Sequence, residues 1–320
     1  MKIIIYGLLL NLIKIMAFYD ENDLQKFVSD ILASKAIIIG AGAGLSASAG
    51  FDLSGERFQK YFFDFKKKYN IEDMYLGSFY SYTKKSEFWA FMSRNVYLSR
   101  FSPFPKKTYN ILYEIFKDKN YFILTTNVDH LFQKVGFDKN RMYYMQGDMG
   151  LIQCEKPCHT KNYENYNIIK DMLIDQGFTI DEKGELIVGN NIKTEISENL
   201  IPKCPVCGGE MTLNLRGGYN FVQDDGWYEH QKLYSDFINK YKNDDILYIE
   251  IGVGYDTPSI IKYNFWSQVS MNKKAKFVSI NLEEIDVPEK IKNRSIVITA
   301  DADNILNKIY ALIKEHKSDL

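Results

Sequence analysis

Two sets of residues in this chain are spaced for chemistry. The first is four cysteines in two close pairs, Cys154-x3-Cys158 and Cys204-Pro-Val-Cys207-Gly-Gly. Two such pairs, each on a tight turn, supply the four thiolates of a tetrahedral structural zinc site. That site keeps no open coordination position, so it serves folding rather than catalysis. Gly208 and Gly209 let the second turn close sharply, and His159 is an alternative ligand to Cys158 that its adjacency makes a bystander. The competing reading is four reduced, unpaired thiols. The second set is the glycine-rich stretch Ala36 to Gly50, AIIIGAGAGLSASAG. Its β-branched run reads as a buried strand, and the backbone at Gly42, Ala43 and Gly44 is bare enough to approach a phosphate closely. Small residues then open a helix whose start offers unpaired N–H groups to an anion.

These residues need a parallel sheet to hold them. The pattern predicts an amphipathic helix over 20–35 capped by Asp20, a strand through Ile37, Ile38 and Ile39, a helix over 105–119, and strands at 121–125 and 141–145. After them come helix 228–242, strand 245–251, helix 258–269, strands 276–281 and 295–299, and helix 304–316. Alternating strands and helices imply an α/β, Rossmann-like doubly wound parallel sheet, whose ligands sit at the carboxyl edge of the strands. Thr126, Asn127 and Asp129 are delivered to that edge. Residues 16–150 and 214–320 form this domain; 56–104 read as a helical insertion and 151–213 as a small zinc-binding module. The aromatics of 56–104 are either core of a helical subdomain or part of a cofactor loop. The ordinary dinucleotide fingerprint wants a third glycine where Leu45 stands and an acidic residue closing a second strand about 20 residues on. Phe58 to Asn70, aromatic and charged, supplies no such strand, which excludes a dehydrogenase-type site.

Gly42-Ala43-Gly44-Leu45-Ser46 followed by Gly50 resembles the GAG-x-S-x-x-x-G signature of sirtuins. Thr125-Thr126-Asn127-Val128-Asp129 resembles their TQNID motif, and the cysteine pairs follow in the family's order. The resemblance runs from about Ala36 to the C-terminus. It implies NAD as cofactor, a structural Zn2+, and chemistry that begins by breaking the bond between nicotinamide and ribose. It further implies that Gly42, Ala43, Gly44 and Ser46 form the cofactor loop, with Asn127 beside the ribose, Asp129 near the carboxamide, and Thr126 and Gln146 among the cofactor-binding residues. Gly252 and Val253 would turn around phosphate and ribose, Asn281 would bind the adenosine ribose, and Asp301-Ala302 would meet the adenine end. Asp301 reads equally well as a helix N-cap ahead of Asn304.

The decisive departure is Gln146. Sirtuin deacylases carry a histidine there, followed by glycine, as general base; Gln146-Gly147 keeps the glycine and loses the base. A carboxamide cannot take up a proton near neutral pH, and losing a general base costs about 10²–10⁴-fold. Nicotinamide release needs no such base, and neither does transfer to an acceptor already ionised. Gln146-Gly147-Asp148, Cys154 to His159 and Gly252-Val253-Gly254 to Thr257-Pro258 resemble the macrodomain-linked (class M) sirtuins. That resemblance implies a protein ADP-ribosyltransferase acting on a lipoylated glycine-cleavage-H-like carrier protein, with a macrodomain hydrolase reversing the mark. Asn127, Gln146, Asp129 and Ser46 are the catalytic candidates. Asp52-Leu53 and Phe221-Val222-Gln223-Asp224 also depart from the deacylase pattern, and Arg216-Gly217-Gly218 is a candidate contact for the carrier. A slow deacylase, an NAD hydrolase and a non-catalytic NAD or ADP-ribose sensor are the alternatives.

The chain has 320 residues, 46% of them hydrophobic, enough to bury a large core. Lys+Arg number 40 against Asp+Glu 41, a net charge of -1, which gives no electrostatic case for nucleic acid or an anionic membrane. Cysteines this sparse make no disulfide scaffold, and the expectation is a cytoplasmic protein. MKIIIYGLLLNLIKIMAF at the N-terminus imitates a signal peptide or membrane anchor, but Asn11 and Lys14 interrupt the run and no cleavage site follows. Met16 is the expected initiator, with residues 1–15 an extension from an upstream start codon.

Overall fold

The structure, a computed structural model, describes residues 19–318; the expected extension over 1–15 and the initiator at Met16 lie outside the described residues. In chain order the strands are β1 (Ala36–Ala41), β2 (Tyr121–Thr125), β3 (Met142–Tyr144), β4 (Gly147–Cys154), β5 (Tyr163–Glu164) and β6 (Phe178–Ile180). They continue as β7 (Leu186–Val188), β8 (Met211–Leu215), β9 (Ile246–Ile251), β10 (Lys276–Asn281) and β11 (Ser295–Thr299). Six of them form one sheet in the order β11-β10-β9-β1-β2-β3, and every pairing in it is parallel.

β1 is central, and all of its residues are buried. Ile37, Ile39 and Ala41 enter the core beneath helices Glu21–Ala33, Thr108–Phe116 and Ala302–Ser318. Ala36 and Ile38 enter the opposite core, against helices Asp225–Tyr241 and Lys262–Met271. A strand covered on both faces has no polar side to show, which is why AIII reads as an unbroken apolar run. The chain moves outward from β1 through β2 and β3, then returns to β1's other side with β9. The strand order therefore reverses at β1 and β9, and a crevice opens beyond their carboxyl ends.

Strands 121–125, 276–281 and 295–299 form as expected. Helix starts are set by their caps. Asp20 accepts from the Asn22 N–H ahead of Glu21–Ala33, and Asp224 accepts from the Trp227 N–H, so the expected helix at 228 begins at Asp225. The helix expected from Pro258 begins only at Lys262.

A third core lies beside the sheet. It joins Phe58, Phe62, Phe65, Trp89 and Phe91 from the helical stretch to Ile169, Leu173, Phe178 and Leu213 from the cysteine-bearing stretch. β4 pairs antiparallel with β5 and β8, and β6 with β7. Arg94 ties the two stretches together although its side chain is fully buried. It pairs with both Asp64 oxygens at 2.7 and 2.9 Å and donates to Gln176 Oε1, Tyr61 O and Lys193 O, with Phe65 and Phe178 stacked 4.8 Å from its guanidinium. Arg94→Met keeps the volume but leaves Asp64 and these carbonyls unpaired, so it should lower stability by about 3–5 kcal/mol. A denaturant midpoint unchanged from wild type would contradict this account of the lobe.

Candidate active site

The crevice is bordered by the glycine loop after β1 and the turn after β9. The Gly44 N–H donates to Gly252 O at 3.0 Å and the Gly42 N–H to Ile251 O at 3.1 Å. A Cβ on Gly44 would sit 2.7 Å from Gly252 Cα, and one on Gly42 2.5 Å from Gly252 O. Gly252 itself has φ +61°, and a Cβ there would meet Leu45 N at 2.2 Å. Only glycine permits this backbone-on-backbone contact. Ala43 starts the short helix to Ser48, and Val253 is buried beside the turn.

Under the loop the structure gathers a buried polar cluster. Ser46 Oγ donates to Asp129 Oδ2 at 2.5 Å, which uses its one proton. The Tyr109 hydroxyl at 2.9 Å and Asn127 Nδ2 at 3.2 Å are therefore the donors to Ser46 Oγ. Asn127 Nδ2 also donates to Gly42 O at 3.1 Å, leaving its carbonyl oxygen as the atom that remains for a ligand. The backbone is held too, with Asn127 N–H donating to Thr125 Oγ1 and Thr126 N–H to Ala41 O. Burial raises the Asp129 carboxyl above its usual range against the Ser46 and Leu131 hydrogen bonds, and it raises the Tyr109 phenol well above its own.

Next to this cluster a cleft is lined by Asn127, Asp129, His130, Tyr144, Gly147 and Asp148. Gly147 has φ +96°, and a Cβ there would strike Asn214 O at 1.9 Å, so β8 can approach only a glycine. Gln146, half-buried, adjoins the cleft without lining it, and its carbonyl accepts from Arg216 N–H at 2.9 Å. Asp148 bridges His130 Nδ1 at 2.7 Å and Arg100 Nε at 2.8 Å. Burial alone would raise Asp148, but the His130 hydrogen bond and the Arg100 charge hold it below the usual carboxylate range.

The remaining candidates lie further along the sheet edge. Asn281 Nδ2 donates to Val253 O at 2.9 Å. Asp301 accepts from Asn304 N–H and from Ser48 Oγ, so it both caps the last helix, which begins at Ala302, and ties it to the glycine-loop helix. Tyr109 and the His130–Asp148–Arg100 chain were not assigned from sequence. His130 follows Asp129 and Asp148 follows Gly147, so both stood inside recognisable motifs, whereas Tyr109 looked like any apolar helix position.

Cys154, Cys158, Cys204 and Cys207 converge with all four sulfurs within 4.8 Å of one another. Cys154–Cys207 and Cys158–Cys204 are 3.6 and 3.7 Å apart. A tetrahedron with Zn–S bonds of about 2.3 Å has edges of about 3.8 Å, so the donor set fits zinc. The Cys207 N–H pulls the Cys204 thiol down to about 6. His159 Nε2 lies 3.4 Å from Cys204 Sγ, beside the quartet.

No protein-family model matches the chain. Its fold matches solved Sir2 structures: one from a study of the mechanism and regulation of Sir2 enzymes has a TM-score of 0.54 at 18% identity, covering 93% of this chain and 100% of that one. A Sir2 homologue–NAD complex has a TM-score of 0.56 at 15% identity, covering 91% and 94%. A protein ADP-ribosyltransferase of Staphylococcus aureus is 33% identical over 272 residues, 85% of this chain and 82% of the relative. A probable bifunctional ADP-ribose hydrolase/ADP-ribosyltransferase of Fusarium oxysporum is 25% identical over 238 residues, 72% of this chain and 37% of the relative. This chain belongs to the family of the Staphylococcus aureus protein ADP-ribosyltransferase and has the fold of Sir2 enzymes.

Proposed function

We propose that this chain cleaves NAD at the nicotinamide–ribose bond and transfers ADP-ribose to a protein acceptor, a lipoylated glycine-cleavage-H-like carrier. The observation that carries the reading is the buried cluster of Ser46, Asn127, Asp129 and Tyr109 beside a Gln146 that has no proton to accept or release. Cleaving such a bond passes through an oxocarbenium-like centre, which needs a fixed dipole and exclusion of water more than it needs a base. Asn127 Oδ1 provides the dipole, and Ser46 and Gly42 O fix its orientation. Asp129 faces the carboxamide of the leaving group. Gly42, Ala43, Gly44, Gly252 and Val253 cradle phosphate and ribose, Asn281 and Thr126 border the two riboses, and Asp301-Ala302 closes the adenine end.

Gln146 orients the acceptor or a ribose hydroxyl. The fully exposed Tyr219 follows Arg216-Gly217-Gly218, and Arg216 binds the Gln146 backbone, which supports a carrier-docking role for this loop. The name of the Fusarium relative pairs hydrolase with transferase, which supports a macrodomain hydrolase as functional partner. Among the described residues no helix is long and apolar enough to cross a membrane.

The alternative is deacylation, since a Sir2 relative of the same fold is solved with an acetylated peptide bound. Intact mass spectrometry after incubation with NAD, a lipoylated carrier and an acyl-lysine peptide separates the two. The expected result is an ADP-ribose adduct on the carrier and an untouched peptide. A deacylated peptide without adduct would reverse the reading.

A further inference from the structure

We infer that His130, held by Asp148, is the group that accepts the proton from a protic acceptor at this site, taking over the work that Gln146 cannot do. The inference rests on the ADP-ribosyl-transfer reading and concerns its second half, the attack on ribose.

Three observations converge on His130. It lines the same cleft as Asn127 and Asp129, three residues from the one and adjacent to the other. Its Nδ1 is engaged by Asp148 Oδ2 at 2.7 Å, so Nε2 is the nitrogen left to exchange a proton. Its backbone has φ +61°, one of two positive-φ positions among the described non-glycine residues. A side chain in the left-handed region costs free energy that a glycine would avoid, and such positions gather at functional sites.

Asp148 is built to hold an imidazole. It lies on β4, whose Met149 N–H donates to Val128 O, and its second oxygen is fixed by Arg100 from the turn after helix Lys85–Val96. A carboxylate anchored on both oxygens orients the ring and stabilises the imidazolium that forms on protonation. The other ionisable groups around the pair are Asp129 on the chain before it, Tyr144 on β3, and Lys134 on the short helix after it. Burial and the Arg100 charge pull that lysine down to about 8, which limits its opposition to a second positive charge.

The step balances with no further reagent. The acceptor's O–H or N–H loses its proton to His130 Nε2 as its lone pair forms the bond to the ribose anomeric carbon. The carbon–nitrogen bond breaks with its electron pair going to nicotinamide, which leaves neutral, and the proton passes from His130 to solvent.

The test uses the full chain with NAD and two small nucleophiles, methanol, which must lose a proton, and azide, which has none to lose. His130→Asn is the variant of choice because asparagine tolerates the left-handed backbone, and NAD binding by calorimetry checks that the fold is intact. The expectation is that His130→Asn slows methyl ADP-riboside formation by about 10²–10⁴-fold, while azide adduct formation stays within about threefold of wild type. Asp148→Asn should shift the pH midpoint of the methanol reaction and leave the azide reaction flat. If His130→Asn keeps the wild-type methanol-to-azide ratio, the proposal is overturned. If wild type releases nicotinamide with neither nucleophile nor carrier, the transfer reading falls and takes this proposal with it.

Discussion

Replacing Asn127 by alanine should lower nicotinamide release by about 10²–10³-fold while NAD affinity stays within a few-fold of wild type, the scale of deleting one preorganised dipole at a developing charge. The expectation follows from the hydrogen bonds the carboxamide makes. Its nitrogen is spent on Gly42 O and Ser46 Oγ, which fixes the direction of its oxygen before any substrate arrives. A dipole that need not reorganise stabilises charge that appears only as the bond breaks. It therefore acts on turnover more than on binding. A protein that merely sensed NAD would show the reverse, a loss of affinity with no turnover to lose. Nicotinamide release followed by chromatography, beside calorimetric titration of NAD, gives both numbers on one sample. Equal losses in the two, or turnover that survives, would remove Asn127 from the chemistry. Tyr109→Phe is the companion variant. It withdraws one donor from Ser46 and should produce a milder loss of the same kind.

The sequence made the sheet legible because burial on both faces forces strands to be apolar without interruption. β1 and β2 are such runs, whereas β11, at the sheet edge, alternates buried and half-exposed residues. The small lobe was far less legible. Its core is assembled from Phe58, Phe62 and Phe91 on one stretch and Ile169, Phe178 and Leu213 on another, and no periodicity encodes which distant segment an aromatic face will meet. Arg94 shows the difficulty best. A lone arginine on a helix reads as solvent-facing, yet here it is desolvated and held by one carboxylate, one carboxamide and two carbonyls from three parts of the chain. The candidate site divides in the same way. Residues inside motifs could be named from sequence, but their pairing could not. Nothing in the spacing of Ser46, Tyr109 and Asp129 tells that one hydroxyl proton orders all three.

Removing zinc should abolish activity at the distant cleft as well as unfold the small lobe. The four thiols sit at one end of the β4–β8 pair, where Cys154 closes β4 and Cys204 and Cys207 precede β8. At the other end of the same pair lie Gly147 and Asp148, with Gly147 opposite Leu215 in register. The pairing shifts register between Gly147 and Ile152, so the metal would act on Gly147 and Asp148 by anchoring β8 against β4 rather than through one unbroken register, and a four-thiolate site contributes its binding free energy to folding. Metal analysis of the purified chain should give one zinc per molecule, and Cys204→Ala none. The variant should be cut by protease first within 151–213 and should lose transfer to protic acceptors, because Asp148 no longer meets His130 and Arg100. The sheet, whose cores contain none of these cysteines, should keep part of its cooperative unfolding. A metal-free chain with wild-type melting and activity would mean that the thiols are bystanders. Zinc loss that spared activity while the lobe unfolded would mean that Gly147 and Asp148 are held by Val128 and Arg100 alone.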